Sequence, residues 1–256
     1  QKKNTRKFFK KLFSMAKNYS NFKEVLNKTP LRVSFGGGGT ELPDYYSKYG
    51  GCVVNTTIDL FIITRIKKNY KNLLEINLSD ERVSKEFKLN KRIKVNDNRF
   101  KIHLEVYKKI SEKYLKGKYY PIKITTHSDA PIGSGLGTSS TLTVSLIKSM
   151  CGFFNIKIKK MELALLAFEI ERKDLKLLGG LQDHLSSSFG GLNVFKINKT
   201  GLVKVKKINA KKIEEQLNLS MILIYTNISR DSSEVIKKQN TKIKKKNPKF
   251  LKYLHL

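Results

Sequence analysis

The sequence predicts a mixed α+β protein, and three observations carry that expectation. Runs rich in β-branched and apolar residues at 31–35, 53–57, 60–65, 120–126 and 192–197 read as short strands. Residues 104–115 and 161–172 space their apolar side chains at helical intervals. The strand at 120–126 feeds a Gly-rich stretch that opens a third helical pattern, Leu142, Leu146, Ile147 and Met150. The chain has 256 residues, 39% of them apolar, enough for one large domain or two small ones.

The formal net charge is +31, which invites a nucleic-acid reading. Its distribution argues against one. Residues 1–28 carry nine Lys or Arg against one Glu, and residues 237–256 carry eight Lys and no acid, so the two ends hold about half the excess. Only eight of the 52 basic residues are Arg, the residue suited to bidentate phosphate and guanine contacts. Weak, salt-sensitive binding to polyanions is expected, without a specific nucleic-acid partner. Cys52 and Cys151 are far apart and form neither a disulfide framework nor a metal cluster by spacing, which suggests a reducing, cytoplasmic setting. No apolar run reaches membrane-spanning length and no signal peptide is visible. The four His stand away from Cys and carboxylates at metal-ligand spacing, so no zinc site is expected, and no Ser/His/Asp arrangement is apparent.

In chain order, residues 1–28 place Phe8, Phe9, Leu12, Phe13 and Ala16 at helical spacing among Lys and Arg. That is a basic amphipathic extension, read either as a solvated appendage or as a surface for membrane or nucleic acid. The strand at 31–35 runs into Gly36, Gly37, Gly38, Gly39 and Thr40, then Glu41, Asp44, Tyr45 and Tyr46. Glycines in a row allow close backbone approach to a ligand, and the acids and phenols beyond could bond hydroxyls. A hairpin turn with a polar rim would look the same. Residues 69–100 are polar and read as short strands with loops.

Residues 130–140 read Ala-Pro-Ile-Gly-Ser-Gly-Leu-Gly-Thr-Ser-Ser. Gly133, Gly135 and Gly137 free the backbone to turn tightly, and Thr138, Ser139 and Ser140 open the helix. A Gly-rich turn at a helix N-terminus is an anion site, because the first N–H groups lack helical partners and the dipole favours negative charge. The stretch reads as a phosphate cradle with hydroxyls near a phosphate-bound Mg²⁺. It lacks the Lys of a Walker A loop. By itself it could also be a plain connector.

Glu169 and Glu171 close an otherwise apolar helix, where carboxylates without partners are rare, though both could simply emerge at the helix end beside Arg172 and Lys173. Gly179 and Gly180 then set a turn, and Asp183 falls early in the next helix, where it could simply cap it. Residues 221–226 read as another strand, followed by a Ser/Arg-rich turn containing Arg230.

Residues 131–140 resemble the Pro-x-x-x-Gly-Leu-x-Ser-Ser signature of the GHMP small-molecule kinases. Residues 29–46, with 49–59, resemble the N-terminal sugar signature of one branch, the D-glycero-D-manno-heptose 7-phosphate kinases. Gly36 stands where that branch has Ala, and Glu41 where it has Asp. Glu171 and Asp183 match the two acids that complete the active site in this family. Leu181 stands where the branch has Lys. Residues 225–233 resemble the segment that begins the second domain.

This resemblance implies the fold: a GHMP kinase N-terminal domain (ribosomal protein S5 domain 2-like) over 29–210, then an incomplete ferredoxin-like C-terminal domain over 211–256. It spans about 29–240, so the chain reads as C-terminally truncated, and its opening Gln suggests a missing start. The implied cofactors are ATP, on Pro131, Gly133, Ser134, Gly135, Leu136, Gly137, Thr138, Ser139 and Ser140, and Mg²⁺, on Ser139 and Glu171. Asp183 would be catalytic. Arg32, Gly37, Gly38, Gly39, Thr40, Glu41 and Arg230 would hold the sugar phosphate. The implied activity is phosphoryl transfer to the anomeric hydroxyl of that heptose 7-phosphate. The alternatives are an inactive remnant that at most binds nucleotide, a fucose- or galactose-type sugar kinase, and a charge-driven binder of acidic surfaces.

Overall fold

The computed structural model describes residues 24–89, 97–131, 133–209, 211–226 and 232–254. The basic helix expected before residue 24 and Arg230 lie outside these residues. The described chain gathers into two compact units, one containing 63–127 and 145–159, the other 29–62, 128–144 and the residues from 160 onward.

In the first unit the strands lie in the order β4-β3-β5-β2. Strands β3 (Leu73–Leu78) and β4 (Val83–Lys88) form an antiparallel hairpin with Ile76 opposite Lys85. Strand β5 (Ile122–Ser128) runs parallel to β3, Ile124 facing Ile76. A parallel neighbour needs a crossover, and helix α2 (Lys101–Tyr114) supplies it, burying Leu104, Val106, Tyr107 and Ile110. These are the helical positions that the sequence spaced for a core face.

The second unit holds the other end of β2 (Gly51–Lys68), antiparallel to β6 (Asn193–Ile197), which pairs with β7 (Val203–Lys207). Strand β1 (Glu24–Gly36) pairs with β2. Two expectations change here. First, β1 starts at Glu24, so the last residues of the expected extension belong to a strand. Second, 53–57 and 60–65 are one strand. Its buried positions fall on odd numbers at Val53 and Asn55 and on even numbers at Ile62, Thr64 and Ile66. That change of phase breaks the alternation in sequence while the backbone continues.

Helices α4 (Lys160–Glu169) and α5 (Gln182–Phe189) cover this part of the sheet. Val53, Ala164, Leu181, Leu185, Phe195 and Ile197 form their shared core. A second cluster, Leu31, Ile62, Ala130 and Leu136, sits under the Gly-rich loop. Helices α7 (Ser232–Lys244) and α8 (Pro248–Leu254) pack Ile243, Leu251 and Leu254 against Leu42 and Tyr45, at the start of α1 (Pro43–Tyr49).

Helix α6 (Lys211–Ser220) precedes 221–226, the expected strand, which has no regular structure. Its residues Ile222, Leu223, Ile224 and Tyr225 are exposed. Strand propensity there finds no strand to pair with among the described residues, and an unpaired strand is not stable. No helix among the described residues is long and apolar enough to cross a membrane.

Candidate active site

The phosphate loop connects β5 to α3 (Thr138–Phe153). Gly133, Gly135 and Gly137 all take positive φ, at 83°, 77° and 77°. These backbone states favour glycine and let the loop fold tightly before the helix. Ser134 N–H bonds Pro131 O and Thr141 N–H bonds Gly137 O, which closes the loop on the first turn of α3.

Arg32, on β1, holds this loop in place. Its main-chain N–H donates to Leu136 O and its Nη1 donates to Gly135 O at 2.8 Å. Its Nε and Nη2 both reach Asp183 Oδ1, at 2.6 and 2.5 Å. Arg32 was expected at the sugar; the structure commits its guanidinium to Asp183 and the loop. Asp183 stands in the first turn of α5, with Oδ2 only 3.2 Å from where a Cβ on Gly137 would be. The carboxylate that the family resemblance marks thus lies against the phosphate loop. Ser34 Oγ donates to Gln182 Oε1 and ties β1 to α5 a second time.

Glu171 is 1% exposed. Past α4 the chain widens into a π-helical turn, Ile170–Asp174, with Leu175 N–H bonded to Ile170 O at 2.9 Å. Such turns recur at functional sites because they re-aim side chains. Here Glu171 Oε1 accepts from Thr143 Oγ1 at 2.6 Å and Oε2 from Ser140 Oγ at 2.9 Å. Arg172 Nη2 and His184 Nε2 each stand 3.2 Å from Oε2. Burial alone would raise this carboxyl. The pull of His184, Arg172 and Thr143 outweighs it and holds Glu171 down at about 2.

The hydroxyls on Glu171 are those of Ser140 and Thr143, while Ser139 is exposed. Ser140 and Thr143 are three apart on one helix and so share a face, a signal present in the sequence. Arg172 and His184, each directly after a predicted acid, were not singled out.

Glu41 is 4% exposed, and its Oε2 accepts Gly39 N–H at 2.7 Å. Thr40 Oγ1 donates to Gly37 O and accepts Cys52 N–H, so the Gly37, Gly38, Gly39 turn is fastened to β2. A Cβ on Gly180 would lie 2.7 Å from Glu41 Oε1, which places Glu41 beside the Gly179, Gly180 turn that leads to Asp183. Burial pushes the Glu41 carboxyl up to about 7, against the backbone N–H groups of Glu41 itself and Gly39, with Asp183's charge adding to the rise.

The sign of the consequence follows. Between pH 4.5 and 7 the folded chain keeps a proton that the unfolded chain has released, so stability falls as pH rises through that window. The loss is on the order of 3 kcal/mol at its limit. Glu41→Gln is therefore expected to match the parent near pH 4 and exceed it in urea-unfolding free energy at pH 8. No gain at pH 8 would show that burial does not raise the Glu41 carboxyl in the fold.

A family model described as GHMP kinases N terminal domain matches residues 101–191. The chain is 36% identical over 239 residues to the D-glycero-alpha-D-manno-heptose 7-phosphate kinase of Campylobacter jejuni, covering 91% of this chain and 68% of that protein. It is 26% identical to the mevalonate kinase of Methanocaldococcus jannaschii, over 88% of this chain and 70% of that protein. The crystal structure of a D-glycero-D-manno-heptose 1-phosphate kinase from Bacteriodes thetaiotaomicron matches with a TM-score of 0.74 and 33% identity, over 89% of this chain and 73% of that one. With the loop, the fold and this identity in agreement over most of its length, the chain belongs to the GHMP kinases.

Proposed function

We propose that this chain transfers the γ-phosphoryl group of ATP to the anomeric hydroxyl of D-glycero-D-manno-heptose 7-phosphate, giving the 1,7-bisphosphate and ADP. The observation that carries this reading is Asp183, fixed by Arg32 through one oxygen and set with the other against Gly137 of the phosphate loop. Two relatives, at 36% and 33% identity, are named as kinases of manno-heptose phosphates, which supports the substrate class.

The N–H groups at the loop and at the start of α3 suit the nucleotide phosphates. Asp183 Oδ2 orients the acceptor hydroxyl and takes its proton. The hydroxyl oxygen forms the new bond to phosphorus as the bond to the ADP oxygen breaks. Glu41 and the backbone from Gly37 to Thr40 suit the sugar hydroxyls. In this chemistry the protein contributes mostly position and charge.

Fit to Mg²⁺ turns on Glu171. Oε2 is crowded by Ser140, Arg172 and His184, whereas Oε1 accepts from Thr143 and keeps a second lone pair. Glu171 Oε1 and the exposed Ser139 hydroxyl are both hard oxygen donors, of the kind that suits an ion that keeps its waters and binds phosphate oxygens. When bound, the ion would offset phosphate charge.

The test is ADP release by the purified chain with Mg²⁺ and ATP, with and without the heptose 7-phosphate. The expected result is sugar-dependent ADP with a new anomeric phosphate in the ³¹P spectrum. ATP binding without turnover on any sugar phosphate would reject the reading in favour of a remnant that only binds nucleotide.

A further inference from the structure

One cation at this site has no part in the roles above. Arg172 follows Glu171 in the π-helical turn, and its side chain is 15% exposed. Its Nη1 donates to Leu177 O at 2.9 Å, its Nη2 lies 3.2 Å from Glu171 Oε2, and the Phe168 ring is 5.6 Å from its Cζ. Its Nε is buried with no hydrogen-bond partner among the described residues. A Cβ on Gly179 would stand 2.1 Å from Nη2 and 2.5 Å from Cζ. The guanidinium therefore fills the space that a side chain at 179 would take. Four residues on, Asp183 is close enough for its charge to act on Arg172. Leu181, just before Gln182 and Asp183, is sunk in the apolar core and brings no charge there.

A plain loop staple needs only the bond to Leu177. It does not call for a buried guanidinium set against the Glu171 carboxylate at the cost of an unpaired Nε, because a buried donor left unsatisfied is destabilising. A fixed positive charge in a largely dry site does suit a reaction that gathers negative charge, since it needs no reorganisation when the charge arrives. We propose that Arg172 is a positioning residue of the transfer reaction. Seated in the slot that Gly179 leaves open, it fixes the Glu171 carboxylate and offsets the charge that Glu171, Asp183 and the nucleotide phosphates bring together. This rests on the kinase reading above.

The experiment compares the parent chain with Arg172→Met, Arg172→Lys and Gly179→Ala. It measures kcat for sugar-dependent ADP release, ATP affinity by calorimetry, and the thermal midpoint. Arg172→Met is expected to lower kcat about 100-fold, the scale of one lost electrostatic donor, with ATP affinity within about threefold. Arg172→Lys restores part of the charge without the planar fork and is expected to recover about tenfold. Gly179→Ala keeps Arg172 but fills its slot, and is expected to behave like Arg172→Met.

A kcat for Arg172→Met within about threefold of the parent overturns the proposal. So does a loss that follows the thermal midpoint across the three variants with no recovery in Arg172→Lys. A parent chain with no sugar-dependent ADP defeats the kinase reading and this inference with it, whereas an active parent with an unaffected Arg172→Met defeats the inference alone.

Discussion

Replacing Asp183 with Asn is expected to lower sugar-dependent turnover by about three to four powers of ten while ATP binding survives. The substitution keeps size and shape, so Arg32 can still bond the side-chain oxygen and hold the Gly135 carbonyl. It removes the negative charge and the oxygen that takes the acceptor's proton. Single-turnover kinetics would locate the loss in the chemical step, and calorimetric titration with ATP would show near-parental affinity. Unchanged turnover would reject the role of Asp183. A parallel collapse of turnover and ATP affinity would mean that Asp183 serves mainly to brace the loop.

The second large effect is on stability. Glu171→Ala is expected to destabilise the chain by about 3–5 kcal/mol, because it leaves Arg172 as a buried charge with no carboxylate and strips the acceptor from Ser140 and Thr143. For a chain of this size that is a fall in thermal midpoint of roughly 10 °C. Glu171→Gln keeps both hydroxyls bonded and should fall less. Since the fold holds this carboxyl at about 2, its contribution is complete above pH 4.5 and is lost as pH falls from there toward 2. Both variants should accordingly show a shallower acid limb in a plot of stability against pH. A Glu171→Ala midpoint within about 2 °C of the parent would mean that the four groups around the carboxylate relax to water or to one another.

How much of this was legible in the sequence depends on how local the cause is. The phosphate loop could be read because its glycines, its hydroxyls and the helix it opens are contiguous. Glu171 and Asp183 are marked by the family resemblance; locally, a carboxylate ending an apolar helix and another after a Gly pair read equally well as a helix end and a cap. The partners of those acids were not legible. Arg32 and Asp183 are 151 residues apart, and Ser140 and Glu171 are 31 apart, so only the fold reveals the pairs. The family resemblance of residues 29–46 puts Arg32 at the sugar and says nothing of its bonds to Asp183 and Gly135 O. The strand expected at 221–226 failed for a related reason. Ile222, Leu223, Ile224 and Tyr225 have the right propensity, but a strand is a property of a pair and no strand among the described residues pairs with them. Strand β7, with its Val–Lys alternation, carried a usable period-2 signal that passed unread among the surrounding lysines.

Arg32 has a thermodynamic consequence. One side chain grips both Gly135 O in the phosphate loop and Oδ1 of Asp183, the carboxylate proposed as the acceptor's base. Under that reading, any displacement of the carbonyl by a bound nucleotide would act on the anchor of the carboxylate proposed to meet the sugar. Occupancy of the two substrate positions then shares a free-energy term. By reciprocity, the factor by which nucleotide changes acceptor affinity equals the factor by which acceptor changes nucleotide affinity. Under the proposed reaction, coupling between the two substrates would run through a single guanidinium.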